Sequence, residues 1–340
     1  MAFLKKAPIL VTLMVLLWSC DGDEERQEII PDIAFSATEM AVLDQYLNLA
    51  PRPFNYAQPL LPENFYEEDS EELDNNPAHN PVTNLGATLG RVLFYDTKLS
   101  IDNTISCASC HQQDAAFSDP RRFSVGLQGQ TTRRNSMTLI NSRYYQNGRF
   151  FWDERAASLE QQALIPIQDH IEMGMELKQL EEKLQQLPYY EILFEKAFGD
   201  KQVSAQRIGK ALAQFMRPMV SFNSKFDRGL ELADFPEVGE GMDDLPNFTA
   251  QERLGMDIFM NGRKGATCQY CHGTAHNVAF EARNNGLELH YNDRGKGEIT
   301  GRSSDEALFK APSLRNIAKT APYMHDGRFA TLREVVDHYS

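Results

Sequence analysis

Cys107-Ala108-Ser109-Cys110-His111 and Cys268-Gln269-Tyr270-Cys271-His272 carry the same unit, Cys-x-x-Cys-His, once in each half of the chain. The two units lie about 160 residues apart, whereas paired zinc-binding Cys-x-x-Cys units normally lie about 15–20 residues apart. A thioredoxin-like dithiol needs a βαβ setting, which the surrounding pattern lacks. The spacing suits a third chemistry. Two thiols add to the two vinyl groups of a haem, and the adjacent histidine presents a ring nitrogen to the iron. The chain is therefore expected to hold two covalently bound haem c groups. Cys107, Cys110, Cys268 and Cys271 would be the attachment points, with His111 and His272 as iron ligands.

The 340 residues suffice for about two domains, and a hydrophobic share of 42% supports a sizeable core. The formal net charge of −14 repels phosphate backbones, so a nucleic-acid partner is not expected. Near the start, Lys5 and Lys6 precede an apolar run, Ile9 to Trp18, that is too short to span a bilayer comfortably. Ser19-Cys20 ends the run, and acidic residues follow at once. This pattern is similar to a bacterial lipoprotein processing site, with Trp18 a departure from the usual small residue. It predicts a signal segment over 1–20 and a periplasmic protein anchored by lipid on Cys20. The competing reading is an ordinary cleaved signal with an incidental cysteine. The remaining four of the five cysteines all fall in the haem units, leaving none for a disulfide.

Residues 21–80 read as an acidic linker or N-terminal extension, densest at Glu67, Glu68, Asp69, Glu71, Glu72 and Asp74. Within it a short helical pattern runs through Met40, Leu43 and Leu47 and is expected to dock on the body. From Asn84 onward helix signals dominate. Asn84 is placed to cap a helix carrying Leu85, Leu89, Val92 and Leu93. Ser158-x-x-Gln161, Thr249-x-x-Glu252 and Thr331-x-x-Glu334 read as capping boxes. Helical spacing also covers Met175–Leu187, Tyr189–Phe198 and Ser204–Met216. The expected class is mostly α, with two cytochrome c-like haem domains at 81–235 and 236–340. The Gly-, Pro- and acid-rich stretch from Asp234 to Asn247 marks the boundary.

The sixth position on each iron decides whether a haem carries electrons or reacts with small molecules. No His or Met occurs between His111 and Asn135. The first haem is thus expected to be five-coordinate and reactive, and the second to be the six-coordinate electron store.

Longer motifs flank the haem units. Leu89-Gly90-Arg91-x-Leu93-Phe94 precedes the first. Arg134-Asn135-Ser136, Phe151-Trp152-Asp153, Ser158-Leu159-Glu160-x-Gln162-Ala163 and Ile171-Glu172-Met173 follow it. Ala311-Pro312-Ser313-Leu314-Arg315-Asn316 and Thr320-Ala321-Pro322-Tyr323-Met324-His325-Asp326-Gly327 follow the second. In order and spacing, residues 84–340 resemble the bacterial di-haem cytochrome c peroxidase family, which also holds the methylamine-dehydrogenase-maturing di-haem enzymes.

The resemblance implies roles. Glu172 would be the acid–base catalyst over the first haem, moving a proton from one peroxide oxygen to the other. Gln162 would hydrogen-bond the bound peroxide or water, and Trp152 would relay electrons between the haems. Without the family, these would read as a solvated helix acid, an exposed amide and a core aromatic. Asn135, with the carbonyls of Thr320 and Pro322, matches the family's calcium site, whose hard oxygen ligands suit that ion. The family's second-haem ligand, Met or Tyr, falls at Tyr339, with Met324 and His338 as rivals. Tyrosinate lowers a haem potential and Met raises it. The histidine that many members place on the resting first haem has no counterpart before Asn135. Glu154 replaces the Gly that usually follows Phe-Trp-Asp. The implied activity is reduction of hydrogen peroxide to water with electrons from a small protein, a cytochrome c or a cupredoxin. The alternatives are a di-haem oxidase modifying a partner protein, which Tyr339 would favour, and a plain electron carrier. Family members are often dimers, so a homodimer is expected.

Overall fold

A computed structural model describes residues 35–62, 65, 72–145, 147–233, 245–261, 268–272 and 281–340. The signal segment with Cys20, most of the acidic run at 67–71 and most of the boundary at 234–247 lie outside them. The described chain is helical, and its β-structure consists of isolated bridges such as Gln112–Ser118 and Tyr323–Phe329. Among the described residues no helix is long and apolar enough to cross a membrane.

Four helices build the main core. They are α2 (Asn84–Tyr95), α4 (Leu159–Gln168), α6 (Pro188–Phe198) and α7 (Ala205–Met216), with α1 (Ala37–Leu43), α3 (Cys107–Cys110) and α5 (Leu177–Gln185) around them. Their buried faces repeat at helical spacing: Leu89, Val92 and Leu93 on α2, Ile208, Leu212 and Phe215 on α7. Helix α2 crosses α7 so closely that a Cβ at Gly90 would lie 1.9 Å from the carbonyl oxygen of Ala211. Only glycine permits that approach. The cap of α2 is Thr83, whose hydroxyl accepts from the Gly86 amide at 3.0 Å, not Asn84 as the sequence suggested. The Asn84 side chain has another task. Its Oδ1 accepts the amides of Tyr56 and Ala57 at 2.8 and 2.9 Å, pinning the N-terminal extension to the body.

That extension is more than a solvated tether. Phe35 and Leu43 are buried in the main core, and Lys196 on α6 pairs with Glu39 on α1. Leu73 joins Phe65 and Tyr144 in a second cluster. The capping boxes at Thr249, which opens α9 (Ala250–Asn261), and at Thr331 form with reciprocal bonds. At α4 the Ser158 hydroxyl caps, but the Gln161 side chain accepts from Ala157 instead of closing the box.

Residues 281–340 carry α11 (Lys296–Thr300) and α12 (Leu332–His338) and grip the helical core through buried charge pairs. Arg134 donates to both oxygens of Asp293 at 2.7 Å and to Asp153 at 2.5 Å. Arg315 meets Asp227 of α8 (Lys225–Leu232) at 2.7 and 2.9 Å, and both are buried. Within the core, Arg217 is almost fully buried against Glu160 at 2.8 and 3.1 Å.

Two stability predictions follow from this packing. Gly90→Ala should cost about 1–3 kcal/mol or more by overpacking α2 against α7. Glu160→Ala should cost about 3–5 kcal/mol, because it leaves the Arg217 guanidinium buried and unpaired. Denaturant unfolding checks both; midpoints equal to wild type would contradict these assignments.

Candidate functional site

Helix α3 is a single turn. The His111 amide closes on the Cys107 carbonyl at 2.9 Å, which puts the two thiols and the imidazole on one short arc. Nδ1 of His111 lies 3.0 Å from the carbonyl oxygen of Phe117. With Nδ1–H donating there, Nε2 is left free as an iron ligand. Burial pulls the imidazole below its ordinary value, with the Phe117 bond opposing, so the ring stays neutral. Burial also pushes the Cys107 thiol up to about 12 and Cys110 to about 11. Neither is in a disulfide.

Two cavities open on this arc. The larger is about 490 Å³ and the smaller about 60 Å³; His111, Gln162, Pro166 and Glu172 line both. Cys107 and Cys110 line the smaller, along with Phe94 of α2 and Leu212 and Met216 of α7. Two thiols, a neutral imidazole and an adjoining largely apolar void fit a covalently attached haem. No second histidine lines either cavity among the described residues, although Met137, Met173 and Met216 do.

Glu172 sits on a loop held by backbone bonds on three sides. Leu127 N–H donates to Ile171 O, Ile101 N–H to Met173 O, and Met175 N–H to Ile167 O, at 2.8, 3.0 and 2.8 Å. Gly126 makes the first of these possible, since a Cβ there would stand 2.0 Å from the Ile171 carbonyl oxygen. Burial lifts the Glu172 carboxyl to about 7, Asp169 adds to the rise, and Arg155 opposes it. A carboxyl poised there exchanges protons readily in both directions near neutral pH. Gln162 lies one turn before Pro166, which has no N–H to return to the Gln162 carbonyl, so α4 is loosened where it faces the cavity.

Trp152 lines the larger cavity, and its Nε1–H donates to the Asn135 carbonyl at 2.8 Å. Its ring meets His325 edge-on at 6.5 Å, and His325 stacks on Phe309 at 3.8 Å. Asn135 is buried and ties the halves together: its amide donates to His325 O, and Nδ2 donates to the carbonyls of Arg121 and Arg122.

At the second unit, the α10 turn (Gln269–His272) repeats the first: His272 N–H closes on Cys268 O at 2.9 Å. The three proposed axial ligands converge on Asn285. Its Nδ2 lies 3.3 Å from the Met324 sulfur, its carbonyl 2.9 Å from His338 Nε2, and its side chain is near enough to the Tyr339 phenol to pull it down. Tyr339 is also near enough to Cys271 and Cys268 for their charges to act on it. Burial pushes its phenol up, with Asn285 opposing.

Sequence reasoning named Gln162, Glu172 and Trp152 but missed Pro166, Gly126, Asp169 and Arg155. The Pro four residues after Gln162 was a readable signal. The others act through contacts distant in sequence.

The family model described as di-haem cytochrome c peroxidase matches residues 84–234. The chain is 35% identical over 263 residues to the methylamine utilization protein MauG of Methylophilus methylotrophus, covering 77% of this chain and 74% of that one. It is 34% identical to cytochrome c551 peroxidase of Nitrosomonas europaea, covering 74% and 71%. Among solved structures it resembles a MauG-like protein associated with microbial copper homeostasis, with TM-score 0.67, 32% identity and 84% and 81% coverage. It also resembles the diheme peroxidase BthA of Burkholderia thailandensis, with TM-score 0.63, 26% identity and 76% and 72% coverage.

The Glu172 assignment has a direct readout. Infrared difference spectra should show a protonated-carboxyl band that fades as pH rises through about 7 and is missing from Glu172→Gln. A band that titrates near 4.5, the ordinary value, would contradict the burial argument.

Proposed function

The chain belongs to the di-haem cytochrome c peroxidase family, and on that premise we propose that this oxidoreductase reduces hydrogen peroxide to water with electrons from a small redox protein, a cytochrome c or a cupredoxin. The carrying observation is a carboxyl held near 7, Glu172, on the same cavity as the neutral imidazole of His111. When bound there, haem supplies the iron that takes peroxide and delivers electrons to it. Glu172 accepts the proton of one peroxide oxygen and returns it to the other, so that the O–O bond breaks with water as leaving group. Overall, one peroxide, two electrons and two protons give two waters. The Gln162 amide orients the peroxide, and Trp152 is the electron relay toward the cavity. Tyr339 would hold the iron of the second haem in this reading, which its nearness to Cys268 and Cys271 supports.

Calcium held by Asn135, Thr320 and Pro322 completes the proposal, since it would brace Asn135, whose carbonyl holds the Trp152 indole. Export, anchoring through Cys20 and a homodimer extend it; Cys20→Ser should release the protein from the membrane fraction.

Reduced cytochrome should be oxidised when peroxide is added to the holoprotein. Glu172→Gln should lower turnover by about 10²–10⁴-fold. In wild type the rate should rise with pH through about 7, because the base form of Glu172 takes the first proton, and that limb should vanish in the variant. Absence of peroxide-dependent turnover would overturn the reading. A second reading, oxidation of a partner protein, draws on Tyr339 near the second cysteine pair and on the likeness to MauG. Unchanged masses of co-expressed partner proteins would argue against it.

A further inference from the structure

Glu154 occupies a backbone position that disfavours it. Its φ is +56°, in the left-handed region where glycine is at ease, and its side chain is almost fully buried. Such strain persists where the surroundings over-determine it. Here the surroundings are a closed polar cluster. The Tyr145 hydroxyl donates to Glu154 Oε1 at 2.5 Å, Asn147 Nδ2 donates to the same oxygen at 2.9 Å, and Lys296 Nζ donates to Oε2 at 2.6 Å. A phenol hydrogen bond to a carboxylate at that length is of the strong, charge-assisted kind.

The cluster adjoins the reaction cavity. Tyr145, almost fully buried, lines the 490 Å³ space together with His111 and Trp152. The amide of Lys310 donates to the Trp152 carbonyl at 2.8 Å, and its Nζ stands 3.5 Å from the Tyr145 ring centre, with burial pulling that amine down to about 7. A phenol that loses an electron becomes a strong acid, so electron loss is coupled to loss of the phenol proton, and among the described residues the acceptor bonded to that proton is Glu154. Lys296 holds the carboxylate in place, and burial with Glu154 nearby pushes the phenol well above its ordinary value, so the proton is present to be given.

We infer that Tyr145 and Glu154 form a proton-coupled oxidation station beside the first haem cavity, which takes up an oxidising equivalent when the electron donor is absent. The inference rests on the peroxidase reading. The oxidant is hydrogen peroxide, which takes two electrons and two solvent protons at the first haem site to become two waters; the bound haem groups would supply one of those electrons and Tyr145 the other. One electron leaves the Tyr145 ring for that site, the O–H bond breaks, and its proton moves to Glu154 Oε1. The products are a neutral phenoxyl and a neutral carboxyl, and an electron with a proton later restores both. Such a station keeps the oxidising equivalent on one chosen ring instead of on nearby Trp152 or the cavity methionines.

The test is freeze-quench electron paramagnetic resonance of the holoprotein mixed with peroxide without donor. Wild type should give an organic radical whose hyperfine structure narrows when tyrosine is ring-deuterated. Tyr145→Phe should lose that signal and gain oxidised Trp152 or methionine by mass spectrometry, while haem content stays unchanged. Glu154→Gln should slow radical formation, because its amide cannot take the proton. A tyrosyl signal that survives in Tyr145→Phe, or a wild type that consumes peroxide with no tyrosyl radical, would overturn the inference and leave the peroxidase reading intact. A wild type that shows no reaction with peroxide would instead overturn the peroxidase reading.

Discussion

The close crossing of α2 and α7 is the constraint on which the candidate site depends. Because Gly90 lets the two helices meet at backbone distance, Phe94 from one and Leu212 and Met216 from the other converge behind Cys107 and Cys110. That wall is apolar on the face where a covalently held porphyrin needs apolar contact. The opposite face is supplied by α4 and the loop carrying Glu172. A helical pair at ordinary spacing would widen the gap between wall and cysteines, and the thiols and His111 would no longer share one cavity with Gln162. The order of dependence thus runs from a missing side chain, through helix packing, to the position of a ligand.

Much of this was legible in the sequence. The haem units fix their own chemistry by spacing, and α2, α6 and α7 announce themselves by apolar periodicity and by caps such as Ser204. Legibility failed where a residue serves a partner far away in the chain. Asn84 has the composition of a cap, yet it holds residues 56 and 57 while Thr83 does the capping, and only the folded path of the extension distinguishes the two. Gly126 looks like loop punctuation, whereas it makes room for the backbone before Glu172. Glu172 and Gln162 became legible through family motifs; their own composition would have read as solvated helix surface. Glu154 could be seen as a departure from that pattern, but its partners Tyr145 and Lys296 are assembled only by the fold.

Glu172 and Glu154 show how one chain assigns two buried carboxyls to opposite tasks. Burial raises both. At Glu172 little offsets it, since Asp169 adds to the rise and only Arg155 opposes, so the group rests near 7 and can both take and return a proton. At Glu154 burial is outweighed by the bonds from Lys296, Tyr145 and Asn147, so the carboxyl lies below its ordinary value and keeps its charge. When the environments of two carboxyls push them apart, one exchanges protons near neutral pH and the other rests charged until a stronger acid, such as an oxidised phenol, hands it a proton. The carrier belongs where the substrate's protons must move, on the cavity shared with His111. The resting carboxylate belongs where a phenol proton must be held and received, and the cost of a glycine-like backbone at Glu154 is met by three hydrogen bonds that a glycine would not make.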